Sequence, residues 1–196
     1  MRLPGWRQTR CACRRFSTMK ARFSFTCALA LLLALSGTAL AQDKRDVRLA
    51  DDVSRAILGY ARLTIFDDIG ARIEHGVVTL DGKVTMPFKK DDIEKRVARV
   101  DGVRSVRNEI GVLPVSQFDD ELRYRVARAI YGNSSFWTYA AMANQPIHII
   151  VERGHVTLAG VVNSNVERML ARSLATGLGE LSVTNALRTD AEVKSN

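Results

Sequence analysis

Gly76-Val-Val-Thr-Leu-Asp-Gly82 and Gly154-His-Val-Thr-Leu-Ala-Gly160 are two nearly identical heptapeptides that lie 78 positions apart in this chain. In both, Val and Leu alternate with Thr, which is the pattern of a half-buried β-strand. A glycine beside such a strand marks a tight turn or the close approach of another backbone segment. The repetition therefore predicts two copies of one fold. The glycines predicted to be structural are Gly76, Gly82, Gly154 and Gly160.

The segments around each heptapeptide also repeat, in the same order. A stretch of helical periodicity comes first, followed by a short apolar strand and a tight glycine-bearing turn that leads into the heptapeptide. A second helical stretch and a last strand follow. The side chains predicted to face inward from the helices are Leu49, Val53, Ala56, Ile57, Tyr60, Ile93, Val97 and Val100 in copy one, and Phe118, Leu122, Val126, Ala129, Ile130, Val166, Leu170 and Leu174 in copy two.

Each copy thus reads as helix, strand, strand, helix, strand. Two helices on one face of a three-stranded sheet explain why each helix has one apolar stripe and each strand one apolar side. The fold class is therefore α+β, with two tandem αββαβ two-layer domains at residues 46–114 and 116–190. The boundary is placed at Leu113-Pro-Val-Ser116, because proline cannot continue a strand interior. Units of this size bury modest cores, so we expect the two copies to pack closely.

The N-terminal segment has the composition of a secretory signal peptide. Residues 1–41 contain seven basic residues and no acidic one, and the apolar run Cys27 to Leu35 is followed by Ala39-Leu-Ala41. These features predict export to the periplasm and cleavage after Ala41, with Met19 as an alternative start of the signal. The alternative is an uncleaved anchor, since the mostly apolar stretch 23–41 approaches the ~20 residues that cross a bilayer.

Most of the positive charge of the chain lies in this leader. The formal net charge of the whole chain is +8, but residues 42–196 contain 22 of the 29 basic residues against all 21 acidic ones. A nucleic-acid-binding domain shows a clear excess of positive charge, so no nucleic-acid partner is predicted. All three cysteines also lie in the leader. The rest of the chain therefore has no disulfide and no thiol ligand.

Groupings typical of an enzyme are scarce. The three histidines, His75, His148 and His155, do not have the spacing of a metal-binding pair on one helix face. Acidic pairs occur at 51–52, 67–68, 91–92 and 119–120, but neighbouring side chains on a helix diverge. Those at 51, 91 and 119 are instead predicted at helix starts, where negative charge is favoured. No catalytic, cofactor-binding or metal site is predicted.

The repeated signature resembles the BON domain, the module of bacterial osmotically inducible and nodulation-associated proteins. The resemblance lies in Gly-x-Val-Thr-Leu-x-Gly, in the trailing pattern Gly102, Val103, Val106 and Asn108, and in the order of elements. The two copies together cover roughly residues 46–189, and they follow a predicted signal peptide. It implies an αββαβ fold, an envelope location and a role in binding, with phospholipid surfaces or other envelope components as partners and a link to envelope integrity under osmotic stress.

Copy two departs from copy one by about five extra residues between its first helix and its first strand. The enlarged segment, 134–146, contains Phe136, Trp137, Tyr139 and Met142. These side chains are candidates for an apolar patch that inserts at a lipid headgroup boundary or seats a partner. The alternative is that they cover the open end of the second core, as large apolar residues usually do. Lys95 and Arg99 are candidates for contact with anionic headgroups.

The predicted function is that of a non-enzymatic, tandem-BON periplasmic protein that associates with anionic phospholipid surfaces. A protein-protein scaffold or stress-protective partner in the periplasm is the first alternative, and an enzyme is the last. The sequence does not indicate the oligomeric state.

Overall fold

A computed structural model describes residues 45–195, and it contains two successive copies of the same arrangement. The predicted signal peptide, 1–41, lies outside the described residues. Within the described range, no helix is both long enough and apolar enough to cross a membrane.

Copy one contains two helices and four strand segments. In chain order these are α1 (45–58), β1 (Asp68–Glu74), β2 (Val77–Val84), α2 (Pro87–Val97), β3 (Ser105–Asn108) and β4 (Gly111–Val112). Copy two repeats this order and adds short helical segments. Its elements are α3 (Gln117–Tyr131), a 3₁₀ turn (Ser134–Phe136), α4 (Trp137–Ala140), β5 (Ile147–Glu152), β6 (His155–Val162), α5 (Asn165–Leu174), β7 (Ser182–Asn185), β8 (Arg188–Thr189) and α6 (Asp190–Lys194).

The central strand of each sheet is the one that carries the repeated heptapeptide. In copy one β2 runs antiparallel to β1 and parallel to β3 and β4. Val77 lies opposite Ser105 and Lys83 opposite Gly111, so β3 and β4 keep one register and form a single interrupted strand. Copy two has the same topology, with β6 in the centre. The predicted pair of αββαβ units is therefore confirmed.

A two-residue turn joins the first two strands of each copy. His75 and Gly76 have φ values of 53° and 81°, and Arg153 and Gly154 have 53° and 79°. Two successive residues with positive φ characterise the type I′ turn, whose twist matches that of the flanking strands. Glycine at the second position removes the steric cost of this conformation there. The predicted tight hairpins are thus confirmed.

Gly82 and Gly160 lie inside their strands, because β2 continues to Val84 and β6 to Val162, so the tight turn that was one prediction for them is wrong. A Cβ at Gly82 would overlap the carbonyl oxygen of Asp68, and one at Gly160 would overlap that of Pro146. These glycines therefore permit a close approach of the first strand at its beginning, which is the other role considered for them.

The helices of each copy cover one face of its sheet and enclose a separate core. The buried residues of copy one are Leu49, Val53, Ile57, Tyr60, Val78, Leu80, Val84, Ile93, Val97 and Ile110. Those of copy two are Leu122, Val126, Ile130, Phe136, Tyr139, Ile147, Ile149, Val151, Val156, Leu158, Val162, Ala171, Ala175 and Leu187. Most predicted inward positions on the helices are therefore correct.

Two predicted inward positions are wrong. Val166 is 75% exposed, because α5 packs closely through the small side chains Ala171 and Ala175. Val166 lies roughly 140° around the helix from Ala171, outside that buried side. Phe118, at the start of α3, is half-exposed, and its ring lies beneath the Arg125 guanidinium at 5.9 Å.

The two copies belong to one compact unit. The segment between α1 and β1 of copy one packs against copy two. The backbone N–H of Ile149 donates to the carbonyl of Ile65 at 2.7 Å. The ring of Phe66 meets that of Tyr124 edge-on, with 5.3 Å between centroids. Both Ile65 and Phe66 pack against the core of copy two. This segment of copy one thus acts as a contact element toward its neighbour.

Candidate contact surface on the second repeat

The enlarged segment of copy two lies between α3 and β5. The equivalent segment of copy one, between α1 and β1, is the one that packs against copy two. Its four candidate side chains divide into two groups. Phe136 and Tyr139 are buried, whereas Trp137 is 75% exposed and Met142 is 46% exposed. The prediction of an accessible patch is therefore wrong for Phe136 and Tyr139, whose rings fill the core of copy two. It remains a prediction for Trp137 and Met142.

Hydrogen bonds from Tyr139 hold the segment in place. Its hydroxyl donates to Oε2 of Glu167 at 2.7 Å and accepts from the backbone N–H of Asn163 at 2.9 Å. These bonds tie α4 to the start of α5. The ring also packs against Phe136, with 5.9 Å between centroids. Trp137 is thus presented to solvent from a helical turn whose neighbouring aromatic side chains are anchored.

Burial raises the pKa of Tyr139 to about 12, and its hydrogen bond to the Glu167 carboxylate adds to the effect. Burial likewise raises the pKa of Tyr131, whose hydroxyl donates to the Ile147 carbonyl at 2.6 Å. Both phenols favour the neutral form in the folded protein. The stability that they contribute is present below the pKa of an unfolded tyrosine, ~10.

Tyr139 is expected to make the protein lose stability in alkali. Because its pKa is higher in the folded state, its contribution decreases as pH rises from ~10 toward the folded-state value. The measurement is urea unfolding of the wild type and of Tyr139→Phe at pH 8, 10 and 11. The difference in unfolding free energy between them should shrink with rising pH, since only the wild type has the Tyr139 proton to lose. A constant difference would contradict the assignment.

The residues that flank Trp137 in the sequence carry no formal charge. Residues 129–151 contain no Asp, Glu, Lys or Arg. The exposed indole therefore stands on a neutral, mixed polar and apolar segment. The other two candidate residues, Lys95 and Arg99, are exposed but lie on copy one, at the C-terminal end of α2 and just beyond it. The predicted contact residues are thus distributed over both repeats.

A buried ion pair in copy one was missed by the sequence reasoning. The Asp67 carboxylate accepts hydrogen bonds from Nζ of Lys89 at 2.5 Å, and from the backbone N–H and hydroxyl groups of Thr64 and Thr85. Burial opposes ionisation of Asp67, but these bonds outweigh it and hold its pKa below the usual value. The Asp67-Asp68 pair was the only signal in the sequence, and it identified no partner.

The ion pair has a counterpart in copy two. Lys89 and Glu167 are equivalent residues in the first turns of α2 and α5, and Thr85 and Asn163 are equivalent at the strand exits. In both copies the loop before the first strand is therefore fastened to the start of the second helix. Copy one uses an ion pair, and copy two uses the Tyr139 hydroxyl and the Glu167 carboxylate.

The remaining acidic residues and the histidines are not gathered into a reactive site. The Asp119 carboxylate accepts from the backbone N–H groups of Arg153 and Gly154, both at 2.8 Å, and so supports the hairpin turn. The pairs at 51–52 and 91–92 lie within α1 and α2 and not at their starts, which corrects the prediction for them. Over residues 45–195, no three His, Cys, Asp or Glu side chains converge as metal ligands.

Among the open grooves on the surface of residues 45–195, two have charges of both signs. One, of about 480 Å³, lies at the start of α1 beside the first hairpin turn and is lined by Arg48, Asp101 and Arg104 among others. The other, of about 410 Å³, lies between the copies, where Lys83 pairs with Glu152 at 3.3 Å. His155, which lines the second groove, is hydrogen-bonded through Nδ1 to the hydroxyl of Ser182 at 2.7 Å, and this pair is exposed.

These features define a class: a tandem repeat of small two-layer α+β domains. A family model for the BON domain matches residues 45–114 and 137–191. The chain therefore belongs to the BON domain family, which is a non-catalytic family found in envelope-associated proteins.

Two solved structures share low similarity with the chain, and both are of CdsD, described as a structural protein of the type III secretion system of Chlamydia trachomatis. The first is 16% identical, covers 76% of this chain and 96% of its own, and has a TM-score of 0.27. The second, a structure of the C-terminal domain of CdsD, is 12% identical, covers 70% of this chain and 94% of its own, and has a TM-score of 0.25. The comparison with curated proteins returned no match.

Proposed function

We propose that this protein is a non-enzymatic periplasmic BON protein that binds anionic phospholipid surfaces reversibly, with Trp137 and Met142 as its apolar contact. The observation that carries the proposal is the 75% exposed indole of Trp137 on an anchored, charge-free segment. Tryptophan is favoured at membrane interfaces, because its ring is large and apolar while its N–H stays near water. A role in envelope integrity under osmotic stress would follow from such membrane association.

Insertion and charge would act together in this binding. Burying one large apolar side chain contributes about 1.5–3 kcal/mol, which gives weak and reversible association. Lys95 and Arg99 would add ~1 kcal/mol each near an anionic leaflet. Salt screens such contacts between exposed charges. Binding should therefore require anionic lipid and weaken as salt rises.

Trp137→Ala is expected to lower vesicle association about tenfold or more, because most of the inserted surface is lost. The measurement is co-sedimentation of the protein with phosphatidylglycerol-containing vesicles at low and moderate salt. Phe88→Ala is the matched control, since Phe88 is a half-exposed aromatic residue on copy one, covered by the Arg62 guanidinium at 5.5 Å. Equal binding by wild type and Trp137→Ala would remove Trp137 from the proposal, and no binding by the wild type would end it.

A protein partner is the second candidate, and one observation favours it. The segment that holds Trp137 is the counterpart of the segment that packs copy one onto copy two through Ile65 and Phe66. Stacking of one molecule on the next in the same way is disfavoured, since Asp51 stands where copy two has Tyr124, whose ring meets that of Phe66. The partner would therefore be a different envelope protein. Photo-crosslinking from position 137 in intact envelopes distinguishes lipid adducts from protein adducts.

A further inference from the structure

Helix α5 has an exposed ridge that the core of copy two does not use. Val166 is 75% exposed and Met169 is 68% exposed, and Arg172 is exposed as well. The three residues are spaced three apart, so each neighbours the next in an i, i+3 row that turns roughly 120° around the helix from first to last. Two large apolar side chains in succession, ending in a cation, form a surface of the kind that lies at a membrane interface.

This ridge begins beside the element that presents Trp137. The hydroxyl of Tyr139 in α4 donates to the carboxylate of Glu167 in the first turn of α5 at 2.7 Å. The same hydroxyl accepts from the backbone N–H of Asn163. The turn with Trp137 and the start of the ridge are therefore fastened to each other.

The charge of the ridge distinguishes copy two from copy one. The residues of α2 equivalent to Val166, Met169 and Arg172 are Phe88, Asp91 and Glu94. Copy two thus replaces two acidic residues by one apolar and one basic residue. Of the nearby acids, Glu167 already accepts hydrogen bonds from Tyr139 and Asn163, and Glu192 is paired with Arg168 of the same helix at 3.0 Å. Among the described residues Arg172 has no ion-pair partner within 4.0 Å. The ridge is complementary to an anionic surface, whereas its counterpart on α2 is not.

From these observations we infer that the α5 ridge is the second half of the membrane contact. Val166 and Met169 enter the headgroup boundary of an anionic bilayer beside Trp137, and Arg172 contacts lipid phosphate. The inference rests on the proposed function and adds to it that copy two binds through two helical elements, α4 and α5. Copy one lacks such a ridge, so the contact is asymmetric between the repeats.

The test uses the whole chain and vesicles of phosphatidylcholine with or without phosphatidylglycerol. Val166→Ser combined with Met169→Ser should lower association with the anionic vesicles about tenfold, with Trp137 intact. Arg172→Gln should lower it less and should reduce its dependence on salt. The matched control is Met86→Ser with Phe88→Ser on copy one, which removes similar exposed apolar surface and should leave association unchanged. Circular dichroism and thermal unfolding check that each variant folds, as expected for exposed positions.

The outcomes separate this inference from the proposed function. If Trp137→Ala loses binding but the Val166 and Met169 variant binds like the wild type, the ridge is not part of the contact and the proposed function stands. The same conclusion holds if that variant and the control lose binding equally. If the wild type binds no anionic vesicle, both fall. An Arg172→Gln variant with unchanged affinity and salt dependence would remove the headgroup contact.

Discussion

Asp67→Ala is expected to lower the free energy of unfolding by about 3–5 kcal/mol, because it leaves the ammonium of Lys89 buried without its counter-charge. Both side chains are almost fully enclosed, and the carboxylate also accepts hydrogen bonds from Thr64 and Thr85. Removal of the acid therefore breaks the connection between the loop before β1 and the start of α2. The measurement is urea unfolding, monitored by circular dichroism.

A paired variant tests whether the missing charge is the cause. Lys89→Met alone should cost a similar amount, since it leaves Asp67 buried and unpaired, whereas Asp67→Leu with Lys89→Met should recover much of the loss. Because the pKa of Asp67 is lowered in the folded state, its contribution is present above pH ~4 and is lost as pH falls further. An Asp67→Ala variant within 1 kcal/mol of the wild type would show that this pair does not hold copy one together.

The two αββαβ units were predictable because their signals are local and occur twice. The alternation around Thr79 and Thr157 and the turn glycines require only neighbouring residues to be read, and the second occurrence confirms the first. Asn108 of the trailing pattern was recognised as part of the repeat, but the sequence did not reveal what its side chain does. The structure supplies that role, since the Asn108 side-chain amide donates to the Lys90 carbonyl at 3.1 Å and Asn185 does the same to Arg168 at 2.8 Å.

The contact surface was less predictable, because it depends on directions that the sequence does not encode locally. Phe136, Trp137 and Tyr139 lie close together in the chain, but the change from a 3₁₀ turn to α4 sends the first and third into the core and the second into solvent. Val166 was wrongly predicted to face inward for a similar reason, because small residues farther along α5 determine which side of that helix is buried. The Asp67 and Lys89 pair lies 22 positions apart and follows no local pattern.

Gly160→Ala and Gly82→Ala are the other substitutions expected to be severe. Both glycines have a positive φ, 111° and 114°, which strains any residue with a Cβ by about 1–3 kcal/mol. The added methyl group would also overlap a backbone carbonyl of the adjacent strand, which cannot move without disturbing the β5–β6 or β1–β2 pairing. We therefore expect each variant to lose more stability than conformational strain alone explains, and to express poorly.

Gly177→Ala is the matched control for these two glycines. Gly177 also has a positive φ, 84°, but a Cβ there meets no atom within 4 Å. Its substitution should cost only the conformational strain. In thermal unfolding, Gly177→Ala should therefore have a clearly higher melting temperature than Gly160→Ala and Gly82→Ala. Similar melting temperatures for all three would mean that strain alone decides the cost. The repeated glycine at the end of each heptapeptide would then owe its place to backbone conformation and not to the close approach of the neighbouring strand.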